Sequence, residues 1–168
     1  MVQEQEIAVR RARPGDADKI ATFINQALQG RSAIAAPDVV ERFGSAGFLL
    51  AEREDTLVGL LGWQAENLVA RVTDFLIWPA SERDPASAVL FPQMEQAAAA
   101  LQCEVALLLL PRPTAPEVVA FFGTLGYEPQ VVAGLPKAWR EAAFEAQMAD
   151  DDMVVIKSLR TSRVLRPL

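Results

Sequence analysis

Val119-Ala-Phe-Phe-Gly-Thr-Leu-Gly-Tyr127 is the stretch on which the reading of this chain turns. Val118, Phe121, Phe122 and Leu125 fall at i, i+3, i+4 and i+7, one apolar stripe of a helix. Gly126 supplies the stop, because glycine accepts the left-handed conformation that ends many helices. Tyr127 to Val132 then reads as a strand. Upstream, Thr114-Ala-Pro-Glu117 has the spacing of a capping box. Before it, Glu104 to Leu110 is a nearly continuous apolar run, as expected of a strand covered on both faces.

Working outward, Ile7 to Arg13 reads as a first strand, broken by Pro14-Gly15-Asp16. Asp16 is placed to cap a helix whose Ile20, Phe23, Ile24, Ala27 and Leu28 form one stripe, and Gly30 ends it. A short helix is expected over Pro37 to Phe43. Phe48 to Glu52 and Leu57 to Gln64 read as a hairpin turned at Glu54-Asp55; a second turn near Glu66-Asn67 leads into Val69 to Trp78, stopped by Pro79. Ser81 to Pro85 reads as a polar loop. Ala86 to Leu101 reads as a helix with Leu90, Met94, Ala97 and Leu101 on one face, and Pro92 predicts a kink or a late start. Pro136 to Met148 is expected to be helical with Trp139 and Ala143 inward, and Met153 to Leu159 to be the last strand. This order defines one α/β (α+β) domain with a mixed sheet, its core at 7–159 and a tail at 160–168.

Composition narrows the chemistry. The chain has 168 residues, 51% of them hydrophobic, which suffices for one sizeable core and not for two ordinary domains. There is no histidine and one cysteine, Cys103. Ser-His-Asp hydrolysis, Cys-His proteolysis, HExxH metal sites and an intrachain disulfide are therefore excluded. No EF-hand spacing supports a carboxylate metal site, and no metal is expected. A net charge of −6 disfavours nucleic acid and anionic membrane as partners. Val105 to Leu110, the longest apolar run, is too short to span a bilayer, and Met1 to Glu6 is polar, unlike a signal peptide. The expectation is a cytoplasmic protein.

Three stretches together resemble the GNAT superfamily of N-acetyltransferases. Val9-Arg-Arg-Ala-Arg-Pro-Gly-Asp16 with its following helix is similar to the family's usual start. Val119 to Tyr127 resembles its helix-to-strand corner, an aromatic pair followed by Leu-Gly-Phe or Leu-Gly-Tyr, and Asp151 to Leu159 resembles its closing strand. The resemblance implies a GNAT-like mixed central sheet flanked by helices, with splayed fourth and fifth strands, here Val69 to Trp78 and Glu104 to Leu110. It implies acetyl-CoA as co-substrate, a small-molecule amine as acceptor, and a homodimer paired through C-terminal strands. It places Phe75, Ile77, Arg83, Ala86, Ser87 and Phe122 at the cofactor.

The family's phosphate turn, Gln/Arg-x-x-Gly-x-Gly/Ala, lets backbone N–H groups and a helix N-terminus meet a pyrophosphate. The matching stretch here is Ser81-Glu-Arg-Asp-Pro-Ala86, in which only Ala86 conforms. Glu82 and Asp84 bring carboxylates and Pro85 removes a donor; Arg83 and Ser87 remain as donors. Phe122 stands where the family often has the tyrosine that protonates the leaving thiolate, and Ala115 where it often has an asparagine. Glu52, Glu66 and Asp74 are the acids on or beside the central strands; Asp74, inside an apolar strand, and Glu66 are the candidate bases. Cys103, with no histidine to activate it, reads as a buried structural thiol, and Trp63, Trp78 and Trp139 read as core. Arg160, Arg163 and Arg166 read as a solvated run and not as a docking surface. Three readings stay open: an acetyl-CoA-dependent N-acyltransferase, a non-catalytic small-molecule-binding pseudoenzyme of the same fold, and a dimerising interaction module.

Overall fold

Two tight turns organise the strands that follow the first helices. Glu54 and Asp55 have φ of 50° and 65°, and Asn67 and Leu68 have φ of 49° and 70°. Positive φ at both central residues matches the right-handed twist of flanking strands, so each pair closes a hairpin. The structure, a computed structural model, describes residues 6–29, 35–43 and 47–160. Its elements are β1 (Ala8–Arg11), α1 (Ala17–Ala27), α2 (Ala36–Phe43), β2 (Gly47–Arg53), β3 (Thr56–Glu66) and β4 (Val69–Ile77). There follow α3 (Arg83–Ala100), β5 (Val105–Leu109), α4 (Pro116–Thr124), β6 (Glu128–Val131), α5 (Lys137–Glu145) and β7 (Met153–Ser158). The strand order is β1-β2-β3-β4-β5-β7-β6. Pairs β1–β2, β2–β3, β5–β7 and β6–β7 are antiparallel, and β4–β5 is parallel, with Val69 opposite Val105 and Val72 opposite Leu108. The expected parallel neighbours are thus in place.

The chain forms two compact units, one from the segment ending at Gln64 with Thr73–Met94, the other from Ala65–Val72 with the chain from Glu95 onward. In the first, α1 buries Ile20, Ala21 and Phe23 against Val39 of α2 and Phe48, Leu50, Leu57 and Leu60 of the sheet. Leu76 and Trp78 pack against the same cluster. In the second, Val69, Val105, Leu107 and Val154 meet Ala142, Ala143 and Met148, with Trp139 half-buried beside them.

Several expectations are corrected. Ser81 to Pro85 is not a loop: a 3-10 turn over Ala80–Glu82 runs into α3 at Arg83, so Pro85 sits in the helix's first turn, where no intrahelical donor is needed. Nor does Pro92 delay α3, which continues through it to Ala100. The buried stripe of α3 is Leu90, Phe91, Met94 and Ala98, while Leu101 lies beyond the helix and is exposed. The capping box at Thr114–Glu117 does not form. Ala115 is the N-cap without a side-chain bond, and the Thr114 hydroxyl donates to Pro111 O at 2.8 Å. Pro116 at the first helical position, with φ preset by its ring, starts α4 instead. The stops assigned to Gly30 and the arginines at 163 and 166 lie outside the described residues. Among the described residues, no helix is long and apolar enough to cross a membrane.

An ion-pair cluster fastens β1 to α1 and β2. Arg10 Nη1 and Nη2 each donate to Asp16 at 2.8 Å, and Arg10 Nε donates to Glu52 Oε1 at 2.9 Å. Lys19 Nζ also donates to Glu52. The hydrogen bonds from Arg10 hold Asp16 at a pKa of about 2 and hold Glu52 below the usual carboxylate range. A carboxyl depressed in the folded state stabilises above its unfolded pKa and loses that contribution as pH falls. Stability measured by urea unfolding is therefore expected to hold from neutrality to about pH 5 and then decline toward pH 2. Asp16→Asn should flatten part of that decline and lower stability at pH 7 by roughly 1 kcal/mol.

Candidate functional site

In the first unit the candidate residues lie on the second half of β4 and on the turn into α3. Thr73 to Ile77 are half-buried throughout. Asp74 Oδ2 accepts a hydrogen bond from the Thr73 hydroxyl at 2.8 Å. A strand glycine marks a close approach here: a Cβ on Gly62 would stand 2.9 Å from Asp74 Oδ2 and 2.7 Å from Phe48 Cε1. The carboxylate therefore packs directly on the β3 backbone, and only glycine leaves room for it. Phe75 meets Phe91 edge-on at 5.0 Å, and Ile77 reaches over Gly59, where an added Cβ would be 2.9 Å from Ile77 Cδ1.

The turn that follows is closed by its own residues. Glu82 accepts two hydrogen bonds from Arg53, Nε to Oε2 at 2.8 Å and Nη2 to Oε1 at 2.9 Å. That fork–fork pair holds the Glu82 carboxyl below its usual range. The Glu82 N–H donates to Pro79 O at 2.9 Å and the Arg83 N–H to Ala80 O. Arg83 is exposed, with Nε 3.4 Å from Asp84 Oδ1. Ala86 and Ser87 are fully buried, and the Ser87 hydroxyl has no hydrogen-bond partner among the described residues.

In the second unit Glu66 is paired with Arg71 at 3.2 Å. Phe122, the buried residue of α4, lies edge-on to Phe121 at 5.1 Å and to Tyr127 at 6.4 Å. The Tyr127 hydroxyl donates to Glu95 Oε2 at 2.8 Å, and Lys157 Nζ donates to Glu95 Oε1 at 2.9 Å and to Leu125 O at 3.1 Å. Burial, reinforced by the Glu95 charge, pushes the Tyr127 phenol far above its ordinary value. The phenol stays neutral and occupied. Gly126, at φ +92°, brings the chain round so that Lys157 passes close by its Cα. Cys103 is buried, and burial raises its thiol. Trp139 Nε1 donates to Glu104 Oε1 at 3.1 Å, and Arg160 folds back on the same glutamate at 3.4 Å. Among the described residues no group of three or more potential ligands is placed to hold a metal ion.

Arg53, Gly62, Glu95 and Lys157 were not singled out by the sequence. Gly62 carries a readable signal, an isolated glycine within a strand. The other three act through partners far along the chain, which no local pattern reports.

No protein-family model matches the sequence, and comparison with curated proteins finds no match. Comparison of the structure does. The PaiA N-acetyltransferase from Thermoplasma acidophilum, solved with coenzyme A, superposes with a TM-score of 0.65 at 13% identity, over 91% of this chain and 99% of that one. YncA from Salmonella typhimurium, described as a putative acetyltransferase with its cofactor acetyl-CoA, gives 0.65 at 11% identity, over 94% and 96%. N-acetylglutamate synthase from Neisseria gonorrhoeae, complexed with coenzyme A and N-acetyl-glutamate, gives 0.64 at 17% identity over 95% of this chain. The present chain spans 36% of that enzyme. The fold is therefore that of the GNAT N-acetyltransferases: a mixed, mostly antiparallel sheet flanked by helices.

Coenzyme A is the group this fold implies, and the residues of the turn do not fit its diphosphate. Two of the amides are committed within the turn, Pro85 has none, and the two basic side chains are matched by two carboxylates. A carboxylate about 4 Å from a phosphate costs on the order of 1 kcal/mol even in water. The Glu95 triad predicts a stability effect: Tyr127→Phe, which leaves Glu95 one donor short, should lower stability by about 1–2 kcal/mol in chemical denaturation without changing the circular dichroism spectrum.

Proposed function

We propose that this chain is an N-acyltransferase acting on a small amine, with Asp74 as the carboxylate that takes the amine's proton. The observation that carries this reading is the seating of Asp74: a half-buried acid on the central strand of an acetyltransferase fold, held against Gly62 and oriented by the Thr73 hydroxyl. A fixed carboxylate attracts an ammonium group and is a base for its proton. Glu66 is the poorer base, because its carboxylate already faces Arg71. Phe122 has no proton to give and the Tyr127 hydroxyl is bound to Glu95, so neither is assigned the role of an acid.

A second reading is favoured by Phe122 and the closed turn: a domain of the same fold that binds a small molecule without turning it over. Thiol release from acyl thioesters, measured against amino acids, peptide N-termini and polyamines, separates the two. The first reading expects amine-dependent release that falls about a hundredfold in kcat in Asp74→Asn. It also expects Tyr127→Phe to stay within about threefold, or roughly 0.6 kcal/mol of barrier, and Phe122→Tyr not to reduce the rate. Binding of thioester and amine without any release would establish the second reading instead.

A further inference from the structure

We propose that Lys137 is a modification site of this chain, the lysine that accepts an acyl group from an acyl thioester. The inference takes its donor class from the acyltransferase reading above and adds an acceptor on the chain itself, away from Asp74. The sixteen basic residues are thirteen arginines and three lysines, and all three lysines lie among the described residues. A guanidinium does not give up its proton and is no nucleophile for a thioester. A lysine amine is one, once its nitrogen has left its partners and lost a proton. Acylation of lysine in the folded chain is therefore decided among three nitrogens.

The fold ties up two of them. Lys19 Nζ donates to Glu52 Oε2 and, at 3.0 Å, to Asp55 O. Lys157 Nζ donates to Glu95 Oε1 at 2.9 Å and to Leu125 O at 3.1 Å, and stands 5.7 Å from the centre of the Tyr127 ring. Both glutamate side chains are only 13% exposed, so a lysine that leaves strands a largely buried carboxylate. Giving up a charge-assisted hydrogen bond of this kind slows acylation on the order of tenfold or more.

Lys137 stands apart from both. It is exposed at the first residue of α5, and no hydrogen bond or ion pair holds its side chain among the described residues. The first turn of α5 has no acidic side chain, and Glu141, one turn on, forms no ion pair with Lys137 among the described residues. A cation at a helix N-terminus opposes the helix dipole, whereas a neutral amide does not. Acylation therefore removes an unfavourable charge at Lys137 and a bound, favourable one at Lys19 or Lys157. Access and charge single out the same nitrogen. In the step itself the ammonium first loses a proton to water, and Nζ then bonds to the thioester carbonyl carbon. The C–S bond breaks with its electron pair on sulfur, a second proton leaves nitrogen, and the thiolate takes one up. The products are an amide, a thiol and one released proton.

The test is incubation of the full chain with acetyl-CoA in mildly alkaline buffer, with and without concentrated urea, read at each lysine by peptide mass spectrometry over time. In the folded chain Lys137 is expected to be acetylated about tenfold or more faster than Lys19 or Lys157. In urea, where the partners are gone, the three are expected to react within about threefold of one another. A folded-state pattern equal to that in urea would overturn the proposal, as would a Lys137 that reacts only in urea. Glu95→Gln supplies an independent arm: it should raise acetylation of Lys157 several-fold and leave Lys137 unchanged, and no rise at Lys157 would count against the proposal. The transferase reading is tested separately, because Asp74→Asn should leave acetylation of Lys137 at the wild-type rate. Modified Lys137 without turnover of free amines would sink that reading and leave the modification site standing; turnover of amines with Lys137 unmodified would sink this proposal alone.

Discussion

The parallel register between β4 and β5 is the constraint from which the rest of the architecture follows. Parallel neighbours cannot be joined by a hairpin, so a crossover of a dozen or more residues must separate them, and α3 supplies it. That requirement places the start of α3 directly behind the end of β4, in the segment that carries Pro79 to Ser87. It also gives β5 a covered position, which is why Val105, Ala106 and Leu107 are all buried while Leu109, past the register, is exposed. The Glu104 N–H, donating to Leu68 O at 2.6 Å, opens the pairing. Only four residue pairs share it, and β4 extends beyond them to Ile77.

Around that frame the acids have distinct fates. Glu52 is held by Arg10 and Lys19, Glu66 by Arg71, Glu82 by Arg53 and Glu95 by Lys157. Each of these carboxylates is partly buried, and pairing offsets the desolvation that burial imposes. Asp74 accepts a hydrogen bond from the Thr73 hydroxyl and packs against a glycine backbone.

The corner from Phe122 to Tyr127 shows how a familiar local pattern serves a different end. The helix stops, Gly126 takes positive φ, and the chain turns into β6 as the aromatic and glycine spacing anticipates. The tyrosine hydroxyl is then spent on Glu95, which Lys157 also binds, so three side chains from α3, the corner and β7 satisfy one another. Leaving any one of them unpaired in that partly buried setting would cost more than the net worth of a single hydrogen bond.

Short-range patterns in the sequence determined the element order, the helix at Val118–Leu125, the glycine stop behind it, the two hairpin turns and the absence of histidine chemistry, because periodicity and turn preference act over a few residues and need no partner. The same locality explains the errors. Thr114–Glu117 has capping-box spacing, yet Thr114 bonds backward to Pro111, and Ser81–Pro85 looks like a loop because its residues are polar, although proline is welcome in a first turn. Asp74 was legible as an acid in an apolar strand. What it packs against was not, since Gly62 reaches it only once β3 and β4 are paired. The closure of the turn is likewise a tertiary fact. Glu82 read alone is a repulsive carboxylate; in the fold it is neutralised by Arg53, 29 residues away, and that distant pairing decides what the turn can bind. Local sequence sets which conformations are affordable, but charge is compensated through space, and only the assembled sheet brings those partners together.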